Sequence, residues 1–171
     1  DNAHCRRLAA GCERFLDKLQ SYEGGLTGTP DGEAHAGYTY CALAAAILAG
    51  RPEIYNTPKL LSWLSTRQTS IGGLQGRVNK LPDTCYTFWL GGTLAMLSDI
   101  TVGSGQLPYD VSKLVKFVLA CQSAEGGFSD HPLENPDLYH TCYAISGLAA
   151  IAEFLQKRPV LSEGQPLLLL R

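Results

Sequence analysis

The chain lacks most features that would place it in a special class. It has almost no net charge, with 14 Lys and Arg against 16 Asp and Glu, formally −2. That excludes a general attraction to nucleic acid, so a local knot of cations stands out. It lacks an unbroken apolar run of about 20 residues, and no membrane span is expected. It lacks a signal-peptide pattern and the cysteine density of a small disulfide scaffold. Its six cysteines are Cys5, Cys12, Cys41, Cys85, Cys121 and Cys142, and most fall in apolar helical runs, where a free thiol behaves as a small hydrophobe. A reducing, cytoplasmic setting is the expectation. Nothing in it reads as disordered: 45% of the 171 residues are apolar and 18% charged, enough to bury a sizeable core. It also lacks an initial Met, and a polar segment leads straight into a helix pattern, so a piece of a longer protein is expected.

What is present is a plan repeated three times. Each copy has an amphipathic helix ending near a Gln, then Gly-Gly and an apolar residue, a variable loop, and a second helix that opens with aromatic, Thr and Cys positions. The copies begin RRLAAGCERFLDKLQSYEGGL, PKLLSWLSTRQTSIGGL and DVSKLVKFVLACQSAEGGF. The glycine pairs end at Gly25, Gly73 and Gly127, spacings of 48 and 54 residues. Two helices per unit at a period near fifty make an all-α repeat architecture. The first helix of a pair carries one apolar stripe, as in Leu60, Leu61 and Leu64 or Leu114, Val115 and Val118. The second, as in Cys41 to Ala49 or Ala144 to Ile151, is apolar nearly all round and is expected to be the inner, buried one. Pro58 and Asp110 mark helix starts, and Gly-Gly is expected to stop the preceding helix. Residues 51–57 and 98–109 read as connecting loops. If inner and outer helices alternate around a ring, His35, Asp83, Cys85 and His140 meet near one mouth.

The richest chemistry lies in RVNKLPDTCYTFW, Arg77 to Trp89. Asp83, Cys85 and His140 are three donors that zinc accepts, leaving one position open as in catalytic sites. Equally, they are a capping Asp, a buried Cys and a helix-start His, and spacing alone favours that plainer reading because D-x-C is short and common. His35, Arg77, Lys80 and Tyr86 combine a planar fork of donors, a point charge and neutral donors, which suits a diphosphate; a solvated basic face is the other reading. Asp130 is either a magnesium ligand or a cap. Trp89, Tyr38, Tyr40, Tyr143 and Cys41 either line an apolar pocket or form ordinary core.

GLQGRVNKLPDTCYTFW, GEAHAGYTYCALAA and GGFSDHP with PDLYHTCYAISGLA resemble, in order and spacing, signature segments of protein prenyltransferase β subunits. The resemblance runs from about Leu8 to Phe154 and corresponds to the C-terminal part of a family member. It implies an α/α toroid of helix pairs, here a partial ring over residues 1–158 with a non-periodic tail at 159–171. It implies zinc on Asp83, Cys85 and His140, diphosphate on His35, Arg77, Lys80 and Tyr86, and magnesium on Asp130. Gly37, Cys41, Trp89 and Tyr143 match isoprenoid-lining positions, while Asp137 and Tyr139 fall beside the metal and the peptide. Lys80, Tyr86 and Tyr139 are the catalytic candidates.

The implied activity is zinc-dependent transfer of a farnesyl group from farnesyl diphosphate to the cysteine of C-a-a-X protein tails, with an α subunit as heterodimer partner. Asp130 and the Tyr-His-Thr-Cys-Tyr run from Tyr139 to Tyr143 resemble the farnesyl type. PDTCYTFWLGGTL looks closer to the geranylgeranyl types, so the type I geranylgeranyl enzyme is the alternative. From other classes, a cyclase-like ring enzyme would need acidic motifs that the sequence lacks, and a non-catalytic repeat scaffold would carry no catalytic metal. Ala36 departs from a glycine usual in the family, and the tunnel-floor position falls before Asp1.

Overall fold

The computed structural model describes Arg7, residues 10–100 and residues 107–156. Cys5 and the 159–171 tail lie outside them. Among the described residues the ranged α-helices are, in order, α1 Glu13–Leu16, α2 Ala36–Leu48, α3 Thr57–Ser65, α4 Tyr86–Ile100, α5 Val111–Ala120 and α6 Leu138–Gln156, with a 3-10 turn at Pro52–Ile54. Odd-numbered helices are the outer members of three units and even-numbered ones the inner. Expected starts hold: the Asn56 side chain accepts the Lys59 N–H ahead of Pro58, and Asp110 accepts the Lys113 N–H, each satisfying a first-turn donor that has no partner within the helix.

A turn interrupts the first outer helix's pattern. Gly11 has φ +88°, a left-handed residue that breaks the run, and only Glu13–Leu16 remains helical behind it. Two expected loops are also partly ordered, since Pro52–Ile54 forms its turn and α4 continues to Ile100.

The paired glycines do not stop helices. The outer helices end several residues earlier, and each Gly-Gly instead turns a short loop closed by an antiparallel bridge: Gln20 to Leu26, Gln68 to Leu74, and Gln122 to Phe128. The first glycine of each pair has positive φ, +106°, +97° and +103°. At Gly24 and Gly72 the next unit's outer helix also presses so close that a Cβ would lie 2.2 Å from the Lys59 carbonyl oxygen and 2.4 Å from that of Lys113.

The core runs between the two layers. Leu60, Leu64, Leu114 and Val118 of the outer helices meet Leu43, Leu90 and Ala144 of the inner ones, all buried. The main inner contact is α4 against α6, where Gly147 lies against the Thr87 and Phe88 backbone. The inner helices are not buried all round: Tyr38, Leu48, Leu138, Tyr139 and Ile145 are exposed, as are Cys41 and Cys142. These two thiols are therefore not core hydrophobes.

The absence of an unbroken apolar run holds, since His140, Thr141, Ser146, Glu153 and Gln156 interrupt α6. The 19-residue α6 is, by length and composition, long and apolar enough to cross a membrane, alone among the described residues. Here it buries Ala144, Gly147, Ile151 and Phe154 as the inner helix of the third unit.

Candidate metal and diphosphate site

The repeat itself builds the site. Thr39 and Thr141 each stand 13 residues after the residue whose backbone N–H their hydroxyl accepts, Leu26 and Phe128 respectively. Aligned on them and on Thr87, the residue four positions earlier, at the approach to each inner helix, is His35, Asp83 and Asp137 in turn. Their side chains accept first-turn N–H groups, of Gly37 at 3.1 Å, Cys85 at 2.8 Å and His140 at 2.8 Å. A position that ordinarily caps a helix thus becomes a ring of polar groups around one mouth.

Asp83, Cys85 and His140 come together with one donor atom each, all within 4.8 Å of one another. His140 Nε2 stands 3.4 Å from Asp83 Oδ1. Its other nitrogen donates to Asp137 Oδ2 at 2.6 Å, which fixes the tautomer and turns Nε2 toward Asp83. Burial opposes a proton on His140, but the Asp137 hydrogen bond and the Asp83 charge outweigh it and raise its pKa. Cys85 is buried, and burial followed by the Asp83 charge pushes its thiol far up. A thiol, a carboxylate and an imidazole crowded together fit a divalent cation, whose charge reverses the penalty on the thiolate. Three protein donors of the kinds zinc takes leave a fourth position free.

Beside this cluster, His35 Nδ1 accepts from Gly37, so the neutral ring carries its proton on Nε2, 3.2 Å from the Tyr86 hydroxyl. Burial first, then Arg77, lowers the His35 pKa, and burial pushes Tyr86 up to about 12. Both groups are therefore neutral donors near pH 7. Gly76 leaves room for the Tyr86 ring, which a Cβ there would meet at 2.1 Å. Arg77 is held by Glu33 in an ion pair that sequence reading missed, because Glu33 comes from another unit's loop. Lys80 is exposed.

Asp130 already has partners, the His131 N–H at 2.9 Å and His131 Nδ1 at 2.8 Å, and its carbonyl accepts from Thr84 next to Asp83. Tyr40, Phe88, Trp89, Tyr139 and Tyr143 form one aromatic cluster, with Trp89 and Tyr143 centroids 4.7 Å apart. Phe88 was absent from the sequence candidates, its adjacency to Trp89 being the only signal. Cys41 makes none of these ring contacts, and Gly37 sits beneath His35.

Fold and site together define a helix-pair toroid with a metal-capable cluster at the N-terminal ends of its inner helices. The chain belongs to the family of the prenyltransferase alpha-alpha toroid domain, whose model matches residues 3–168. It is 45% identical over 157 residues to the protein farnesyltransferase subunit beta of Schizosaccharomyces pombe, covering 85% of this chain and 40% of that protein. It is 38% identical over 152 residues to the geranylgeranyl transferase type-1 subunit beta of Arabidopsis thaliana, covering 82% and 39%. Among solved structures, Candida albicans protein geranylgeranyltransferase-I complexed with GGPP matches with TM-score 0.71 at 28% identity, over 81% of this chain and 42% of that one. The chain thus spans about two fifths of the length of these relatives.

Proposed function

We propose that this chain is the catalytic part of a protein prenyltransferase β subunit that transfers a farnesyl group from farnesyl diphosphate to the cysteine of C-a-a-X protein tails. The observation that carries the reading is the convergence of Asp83, Cys85 and His140 from two units. Zinc on these three residues supplies, when bound, a fourth position at which a substrate thiol ionises at neutral pH.

The chain's own residues do the rest. Asp137 keeps the His140 proton on Nδ1 and the ring in place. His35 and Tyr86 present neutral N–H and O–H donors, and Lys80 a mobile cation, to the departing diphosphate as its charge grows. Arg77 joins them by exchanging Glu33 for phosphate, which its planar fork also binds bidentately. The aromatic cluster from Tyr40 to Tyr143 forms the water-excluding wall for the isoprenoid. Magnesium belongs to the same reading, on Asp130 in place of His131. An α-subunit partner and a cytoplasmic setting complete it. Farnesyl is preferred to geranylgeranyl because Asp130 and the run from Tyr139 to Tyr143 resemble the farnesyl type, and the farnesyltransferase subunit beta of Schizosaccharomyces pombe is 45% identical.

Metal content and a thiol probe test this. The chain is expected to hold one zinc, lost in Cys85→Ala and His140→Ala. Its cobalt-substituted form should gain a second thiolate-to-metal absorption component when a C-a-a-X peptide is added. Zinc retained in both variants would remove the assignment. With the α subunit present, faster turnover of geranylgeranyl than farnesyl diphosphate would overturn the chain-length choice.

A further inference from the structure

Glu33 occupies the guanidinium that a phosphate would need. The two loops involved are tied in register, because the Ala36 N–H, three residues after Glu33, donates at 2.8 Å to the carbonyl of Gly76, the residue before Arg77. That bond sets the Glu33 carboxylate against Arg77, Oε2 on Nη1. His35, two residues after Glu33, turns its Nε2 to the Tyr86 hydroxyl, so an acidic group sits among the donors read above as the diphosphate set. The Arg77 and Glu33 side chains are 41% and 55% exposed. An ion pair that open to water contributes little, and it exchanges readily for a more highly charged acceptor.

A released Glu33 carboxylate also has somewhere to go. Its residue lines an open cavity of about 450 Å³ on the first unit's loop, together with Lys18, Ser21, Glu23, Asp31 and Val78. Lys18 is the cation of that lining, and the Ser21 hydroxyl is buried with no hydrogen-bond partner among the described residues. Glu23 and Asp31 are acidic, so a further carboxylate is received there through Lys18 and Ser21 and not by a general positive field. Arg77 does not line the cavity, and a Glu33 turned into it leaves the guanidinium free.

We propose that Glu33 is a positioning residue of the diphosphate site, a resident counter-ion that holds Arg77 while the site is empty and turns toward Lys18 and Ser21 when a phosphate takes the guanidinium. This rests on the diphosphate reading of His35, Arg77, Lys80 and Tyr86, and it adds that the chain lowers its own affinity for diphosphate. Between turnovers the pair keeps the Arg77 fork aimed and its charge compensated. After transfer, the returning carboxylate competes with the diphosphate that has to leave. No covalent bond changes; one acceptor replaces another on the same donors.

The test is calorimetry of inorganic pyrophosphate binding to the full chain without magnesium. Glu33→Gln should tighten binding by about fivefold, the upper end for an exposed ion pair. The sign separates this role from a structural one, since a Glu33 that merely shaped its loop would weaken binding when replaced. The gain should vanish in an Arg77→Gln background, because Glu33 acts through Arg77. Lys18→Met should weaken binding by about twofold in the unaltered chain and leave Glu33→Gln unaffected. As a direct readout, the carboxyl carbon resonance of Glu33 should shift as pyrophosphate saturates the chain. Binding that is unchanged or weaker in Glu33→Gln would overturn the proposal, as would a gain that survives Arg77→Gln, a carboxyl resonance that stays in place, or a Lys18→Met loss that is equal with and without Glu33. Any of these leaves the diphosphate reading standing where pyrophosphate binds the unaltered chain and Arg77→Gln weakens it; pyrophosphate binding to none of the variants would overturn both.

Discussion

Gly147→Ala tests whether the α4–α6 crossing sets the metal cluster. An added Cβ would stand 2.4 Å from the Phe88 nitrogen and the Thr87 carbonyl carbon, and 2.8 Å from Thr87 Cβ. These are mostly backbone atoms, so no rotamer change relieves the clash, and reaching ordinary contact takes a helix separation of about 1 Å. Overpacking of this kind costs ~3 kcal/mol at its upper end. The better helix propensity of Ala offsets ~1 kcal/mol. A net loss of about 2 kcal/mol lowers Tm by about 4–8 °C in a chain of this size. Asp83 and Cys85 move with α4 and His140 with α6, while tetrahedral zinc needs donors roughly 3.5 Å apart. A 1 Å separation exceeds the ~0.5 Å tolerance of such sites, so zinc affinity should fall at least about tenfold. Competition against a chromophoric chelator, with calorimetry alongside, reads both effects. Unchanged affinity together with unchanged Tm would refute the reasoning.

Four further outcomes follow from the same structure. Asp137→Asn should weaken zinc by about 10–100-fold while leaving the fold intact, since it perturbs only the orientation and basicity of His140; an unaltered chelator titration would show that something else holds the ring. Gln68→Ala removes bonds to Asp110 and Gly72 and should cost ~1–3 kcal/mol in urea unfolding, so a loss under ~0.5 would contradict a clamp at Gln68. Arg67 is 4% exposed with its guanidinium 4.6 Å over the Trp63 ring, and its Nε and Nη1 have no acceptor among the described residues. Arg67→Met should therefore be neutral or stabilising by up to ~4 kcal/mol, and a clear loss would mean the charge is paired. For His35, burial and then Arg77 lower the folded pKa below 6.5 despite Glu33. The unfolded chain then takes the proton more readily. The contribution is full above pH 6.5 and declines as pH falls from there through the folded value. His35→Gln should flatten that acid-side slope of stability, measured by urea unfolding between pH 7 and 5.

Much of the architecture could be read in advance, because it rests on local chemistry. The Asn56 and Asp110 caps, the apolar stripes of α3 and α5 and the recurring Gln and Gly-Gly loops are short-range signals. The glycine loops were misplaced as helix stops because a positive φ is needed in either setting; what distinguishes them is a neighbouring outer helix pressing on Gly24 or Gly72. The run before Glu13 has helical periodicity, yet Gly11 interrupts it.

By itself the sequence determined the repeat, its period and which residue types stand at the start of each inner helix, since caps and stripes depend on neighbours a few positions away. Only tertiary structure decided that Asp83 and Cys85 share a space with His140, that Glu33 holds Arg77, and that Phe88 joins the aromatic wall. Those contacts join residues of different units, and their distances depend on how closely helices approach, which Gly147 and its neighbours control and no short window of sequence records.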